Sequence, residues 1–181
     1  MELSALVEHR DRYVAACDYT GALYDLTEEP PRPLALLPSP HRSAFKTEWA
    51  ARKGGELYLG SIGREWTGGE HDGNRDAEKV QVLDENMRLV REEDWGEPYA
   101  RMRALANASA PGYLWHEAVD WDEASRSWLF LPRKHCRAED CEAGYDPADD
   151  DRRGAALLFR LSENLERVVE MRHLPEYDDP E

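Results

Sequence analysis

The sequence is short of cysteine, of phenylalanine and of positive charge. Three cysteines in 181 residues are too few for a disulfide scaffold. The 23 Lys and Arg stand against 38 Asp and Glu, a formal charge of −15. That balance argues against nucleic acid as a partner, because such affinity comes from basic side chains neutralising phosphates. It is compatible with divalent cations, and it also serves solubility. No apolar run approaches the ~18 residues of a membrane-spanning helix, and MELSALVEHRDRY lacks the basic start and apolar core of a signal peptide. A Gly-x-Ser-x-Gly elbow is also missing, and no Ser or Cys carries a nucleophile signature. The glycines of GSIGREWTGG (60–69) are followed by neither Gly-Lys-Ser/Thr nor a helix, so the stretch is a loop between strands and not a P-loop.

What is present is mostly short strands with turns between them. RYVAAC (12–17) and ALYDL (22–26) flank DYTG, and PLALL (33–37) follows a proline-rich connector. FKTEWAARKGGELYLG (45–60) reads as two strands joined at Lys53-Gly54-Gly55. Further hairpins are expected at 79–92, turning at Asp84-Glu85-Asn86, at 112–133, turning at Asp122-Glu123-Ala124, and at 154–174, turning at Ser162-Glu163-Asn164. One short helix is expected over 97–108, with Pro98 in its first turn. Segments 67–77 and 135–152 are polar loops. Repeated hairpins predict an all-β domain, either a sandwich or a β-propeller, and periodicity alone does not choose between them.

The stretch GYLWHEAVDWDEASRSWLFLPR (112–133) places an ionisable His116-Glu117 pair inside an apolar strand. A buried carboxylate needs compensation. A similar case occurs at Glu48 in KTEWAA, beside a tryptophan at the start of a strand. Two such carboxylates from different hairpins can converge on a hard cation, which prefers oxygen ligands. The competing reading is that each faces solvent or pairs with an arginine. His135, Cys136 and Cys141 form too small a set for a zinc site, so a loop disulfide or free thiols are favoured there, and Cys17 reads as buried. The run Asp149-Asp150-Asp151 lacks the rest of an EF-hand loop.

Taken in order, MELSALV (1–7), TGALYDL (20–26), FKTEWAA (45–51), ELYLGSIGREWT (56–67), PGYLWHEAVDW (111–121), SWLFLPRK (127–134) and DDDRRGAALL (149–158) resemble the calcium-activated nucleotidase, or apyrase, family. The resemblance implies a five-bladed β-propeller with calcium in a central tunnel. About three of the blades are expected here, in a domain over 1–174 followed by a polar tail, 175–181. The family's remaining strands and its targeting segment are expected upstream of MELS and downstream of residue 174. By position the resemblance assigns Ser4, Glu48 and Glu117 as calcium ligands. Ala5 stands where the family has an acidic residue. The implied activity is release of phosphate from nucleoside di- and triphosphates, in the secretory pathway or outside the cell. Arg133 and Glu65 are the candidate catalytic residues, Arg133 gripping phosphate. Arg64 and Trp66, in the same loop as Glu65, are the candidates for lining the nucleotide pocket, with Trp66 stacking on the base. Association of two copies is one way to close the ring. The alternative function is a non-catalytic module that binds calcium or nucleotide. In this frame Glu117 faces the tunnel, His116 points the other way into packing, and Trp115, Trp121 and Trp128 pack between sheets.

Overall fold

A computed structural model describes residues 3–39, 44–64, 74–141, 148 and 152–175. Three four-stranded antiparallel sheets follow one another along the chain. The first holds β1 (Leu3–His9), β2 (Arg12–Cys17), β3 (Ala22–Asp25) and β4 (Arg32–Leu36), paired in sequence order. The second holds β5 (Trp49–Lys53), β6 (Glu56–Gly60), β7 (Lys79–Leu83) and β8 (Leu89–Asp94), and the third β9 (Tyr113–Asp122), β10 (Ser127–Cys136), β11 (Leu157–Ser162) and β12 (Val168–His173). Each sheet is therefore a meander of neighbouring hairpins. The leading strands also meet: β1 packs against β5, and β5 against β9.

Local chemistry sets these turns. Gly54 and Gly55 both have positive φ, 57° and 86°, as a two-residue hairpin turn requires. The β1–β2 turn uses Arg10 and Asp11 at φ 51° and 61° for the same geometry without glycine. Strand β1 itself lay outside the hairpins expected from sequence. Its alternation is spoiled by Leu6, which is 66% exposed, while only Ala5 and Val7 pack against buried neighbours.

The inner strands of the middle sheet, β6 and β7, are buried on both faces, which is why they read as nearly continuous apolar runs. Leu57, Leu59 and Leu83 face the first sheet, in a core with Val14, Leu23, Leu37 and Phe45. Tyr58, Val80 and Val82 face the third, in a core with Trp95, Trp128, Phe130 and Phe159. Tryptophans dominate that second core. Trp128 lies edge-on to Trp95 at 5.0 Å and to Trp121 at 5.2 Å between ring centroids. Trp121 and Trp128 thus pack between sheets as expected. Trp115 does not: it is only half-buried, and the ammonium of Lys134 sits 5.1 Å from its ring.

Helix α1 (Gly96–Leu105) fills the gap between the second and third sheets, close to its expected range. Tyr99 and Met102, one turn apart, are fully buried against the tryptophan core. Arg103 ties the helix down, its guanidinium donating to the Gly63 carbonyl (2.7 Å) and to Glu78 (2.9 Å). Among the described residues, no helix is long and apolar enough to cross a membrane.

Candidate active site

Because β1, β5 and β9 are neighbours, residues far apart in sequence share one cavity. Ser4, Glu48 and Glu117 line the same space, about 270 Å³, with Trp49, Asp120 and Leu131 among its other walls. Each is aimed there by a local device. On β1, Leu3 pairs with Cys17 and Ala5 with Ala16, so Ser4 is the extra residue of a bulge, a distortion that redirects a side chain. Glu48 precedes β5 and is fixed by its amide, which donates to the Gly60 carbonyl at 2.8 Å. At Gly60 the backbone lies under the Trp49 indole so closely that a Cβ would stand 2.0 Å from the ring. Glu117 lies mid-strand on β9, on the face opposite to His116.

The electrostatics of the cavity are set by the Glu48 and Glu117 carboxylates, the side chains bonded to them, and Asp120 in the wall. Glu48 is 5% exposed, and its Oε1 is held by the Lys46 ammonium, which also donates to Asp18 Oδ2 at 3.0 Å. Glu117 accepts one Arg133 nitrogen on both oxygens, at 2.8 and 3.1 Å. Glu48, Asp18 and Glu117 thus share two cations, and Asp120 adds a further carboxylate to the cavity wall, so negative charge is in excess. The consequence is visible at both members of the inner pair. Burial, together with Glu117 and Asp18, raises the Glu48 carboxyl pKa against the pull of Lys46. Burial opposes the charge on Lys46, yet its bonds to Glu48 and Asp18 outweigh it and raise its pKa. The site holds positive charge firmly, and it has capacity for more: Asp18 Oδ1 is buried with no hydrogen-bond partner.

As donors, two carboxylates and a hydroxyl suit a hard cation such as calcium and not a soft one. They form part of a six- to eight-oxygen shell. Among the described residues no three His, Cys, Asp or Glu side chains gather closely enough to hold a metal by themselves, so Ser4, water and substrate oxygens would have to complete it.

The other residues singled out from sequence lie elsewhere. Arg64 is buried, its guanidinium 4.9 Å from the Tyr113 ring, in a separate cavity of about 290 Å³ shared with Arg103, Ser109 and Gly112. Glu65 and Trp66 lie outside the described residues. His116 is packed, as expected, between Tyr99 (5.1 Å) and Phe130 (5.5 Å), and neither ring nitrogen has a hydrogen-bond partner. Burial, reinforced by Arg103, lowers its pKa to about 3 and keeps it neutral. Cys136 and Cys141 form a disulfide and Cys17 is a buried thiol. Lys46 and Asp18 escaped sequence reasoning. The signal for Lys46 was its spacing, two residues before Glu48 and on the same side of an extended chain. Asp18 carried none, because only the approach of the first two sheets brings it to Lys46, 28 residues away in sequence.

The match to the apyrase family model extends over residues 1–180. This chain belongs to the apyrase family. Similar proteins include an apyrase of Cimex lectularius, 34% identical over 171 residues, 92% of this chain and 45% of that protein. Apyrase apy-1 of Caenorhabditis elegans is 34% identical over 176 residues, 91% of this chain and 46% of that protein. Soluble calcium-activated nucleotidase 1 of Mus musculus is 31% identical over 172 residues, 93% of this chain and 41% of that protein. The chain thus spans less than half the length of these curated relatives. Within the apyrase chain, Ser4, Glu48 and Glu117 are spread over 113 residues of sequence and converge only through the contact of the three leading strands.

Proposed function

We infer that this apyrase-family chain contributes the metal-holding part of a calcium-dependent nucleotidase that releases phosphate from nucleoside di- and triphosphates. The observation that carries the reading is the convergence of Ser4, Glu48 and Glu117 on one cavity. In this reading those three residues hold calcium, which when bound supplies charge neutralisation and orientation for an attacking water. Arg133, bonded to Glu117 and 57% exposed at its side chain, turns a donor to the phosphate. Phosphoryl transfer depends on positioning and charge compensation more than on a protein nucleophile, in keeping with a sequence that offers none. Arg64, Glu65 and Trp66 are assigned to the nucleotide pocket, with Glu65 a catalytic candidate.

The fold reading that goes with this is a β-propeller domain over 1–174, five-bladed when complete. Three successive four-stranded meanders whose leading strands neighbour one another support it. Phosphate release from UDP or GDP, measured with calcium and with EGTA, tests the activity: release should stop in EGTA, and release that continues unchanged overturns the calcium requirement. Ala5, standing where the family has an acid, favours a second reading, a module that binds calcium or nucleotide without turnover. Calorimetry showing binding beside a null phosphate assay would select it.

A further inference from the structure

Both carboxylates that a bound cation needs are capped by side chains of this chain. The Lys46 ammonium bridges Glu48 and Asp18, and Arg133 holds both oxygens of Glu117. A divalent cation on Glu48 and Glu117 would displace Lys46 and Arg133 and leave three cations crowded in one partly buried cavity, with like charges repelling across a few ångströms. An anion resolves that arrangement by giving both displaced side chains a partner beside the metal. Both side chains can move. Arg133 is more exposed than buried, and Lys46, 23% exposed, pivots on a flexible stem while Asp18 retains a free oxygen to guide it.

We propose that Lys46 and Arg133 are exchangeable internal counter-ions: they occupy Glu48 and Glu117 in the metal-free site and transfer to the phosphate oxygens of the substrate when calcium takes the carboxylates. This assigns Lys46 as a phosphate-contacting residue and makes calcium and nucleotide bind with positive coupling, each raising the affinity for the other by the same factor. It rests on the reading of the cavity as a calcium site.

The test is calorimetric titration of calcium into the protein, with and without a methylene-bridged, non-hydrolysable analogue of a nucleoside diphosphate. In the unaltered chain the analogue should raise calcium affinity by about 10-fold or more. Lys46→Met should bind calcium more tightly than the unaltered chain when no analogue is present, because the competitor is gone, and the enhancement by analogue should shrink towards 1-fold. Lys46→Arg should restore it. Arg133→Met, at a more exposed position, repeats the test if Lys46→Met does not fold. Unchanged calcium affinity and unchanged enhancement in the Met variants overturn the exchange while leaving the calcium site intact. Failure of the unaltered chain to bind calcium in either condition overturns both.

Discussion

Lys46 and Glu48, two residues apart in sequence, meet side chain to side chain beside the cavity, with Asp18 completing the contact. The pair joins a strand entry in the second sheet to the end of β2 in the first. It follows that the first two sheets are linked at this point by charge as well as by apolar packing, with the Lys46–Asp18 contact crossing between them.

Glu48→Gln keeps the shape of the side chain and removes its charge. Calcium affinity should fall by on the order of 10- to 100-fold, the range typical for losing support at a metal site. Lys46 keeps Asp18 as its partner, so the circular dichroism spectrum and unfolding midpoint should change little. Titration calorimetry and a urea melt check the two halves of the prediction. A variant that binds calcium as tightly as the unaltered chain shows that Glu48 is not a ligand.

Gly60→Ala should destabilise far more than an ordinary surface change. The added Cβ would fall 2.0 Å from the Trp49 ring, which is itself fully buried and stacked near Trp95 at 5.5 Å. Overpacking of this kind costs about 1–3 kcal/mol or more. Urea unfolding reads it as a lowered midpoint, and the adjoining position of Glu48 means that calcium affinity should fall in the same variant.

His116 gives the fold an acid sensitivity. Its pKa in the folded chain is about 3, below the ordinary value of 6.5, so the unfolded chain binds the proton more readily. Its contribution is therefore fully present above pH 6.5 and is lost progressively as pH falls towards 3. Over the step from pH 6.5 to 5 the loss amounts to about 2 kcal/mol, at ~1.4 kcal/mol per pH unit. His116→Phe, which offers only carbon to Tyr99 and Phe130, should lose about 2 kcal/mol less than the unaltered chain over that interval. Denaturant melts at both pH values check it, and equal slopes would show that His116 is not held neutral.

Reduction of the Cys136–Cys141 bridge should have a modest effect. The two residues are only five apart, so the unfolded chain is little restrained by the link. Loop-closure entropy puts the loss at about 2 kcal/mol. A double Cys→Ser variant measured by thermal unfolding tests this, and calcium affinity should be unchanged because the bridge lies away from the Glu48–Glu117 cavity.

The hairpins were legible because each is a local event. Gly54-Gly55 makes its turn from backbone freedom alone, and the runs ELYLG and KVQVL announce burial by composition. Strand β1 was not legible, since Leu6 faces outward and breaks the alternation that marks a strand. At the site, Ser4, Glu48 and Glu117 could be named from the motifs that carry them. Pairing of a carboxylate with an arginine was the competing reading, and Glu117 shows it with Arg133, the residue also singled out for phosphate; Asp18 is a loop aspartate like many others until the first two sheets meet and bring it to Lys46.

The sequence by itself determined the all-β class, most of the hairpins and the family. These depend on period-2 patterning, turn residues and motif order, all carried by contiguous residues. Tertiary structure alone decided that the three oxygen donors share one cavity, that Arg64 belongs to another, and that each carboxylate already has a cation of its own. Those facts depend on which strands pack side by side. Charge in a partly buried cavity acts across space between strands, and no spacing along the chain encodes it.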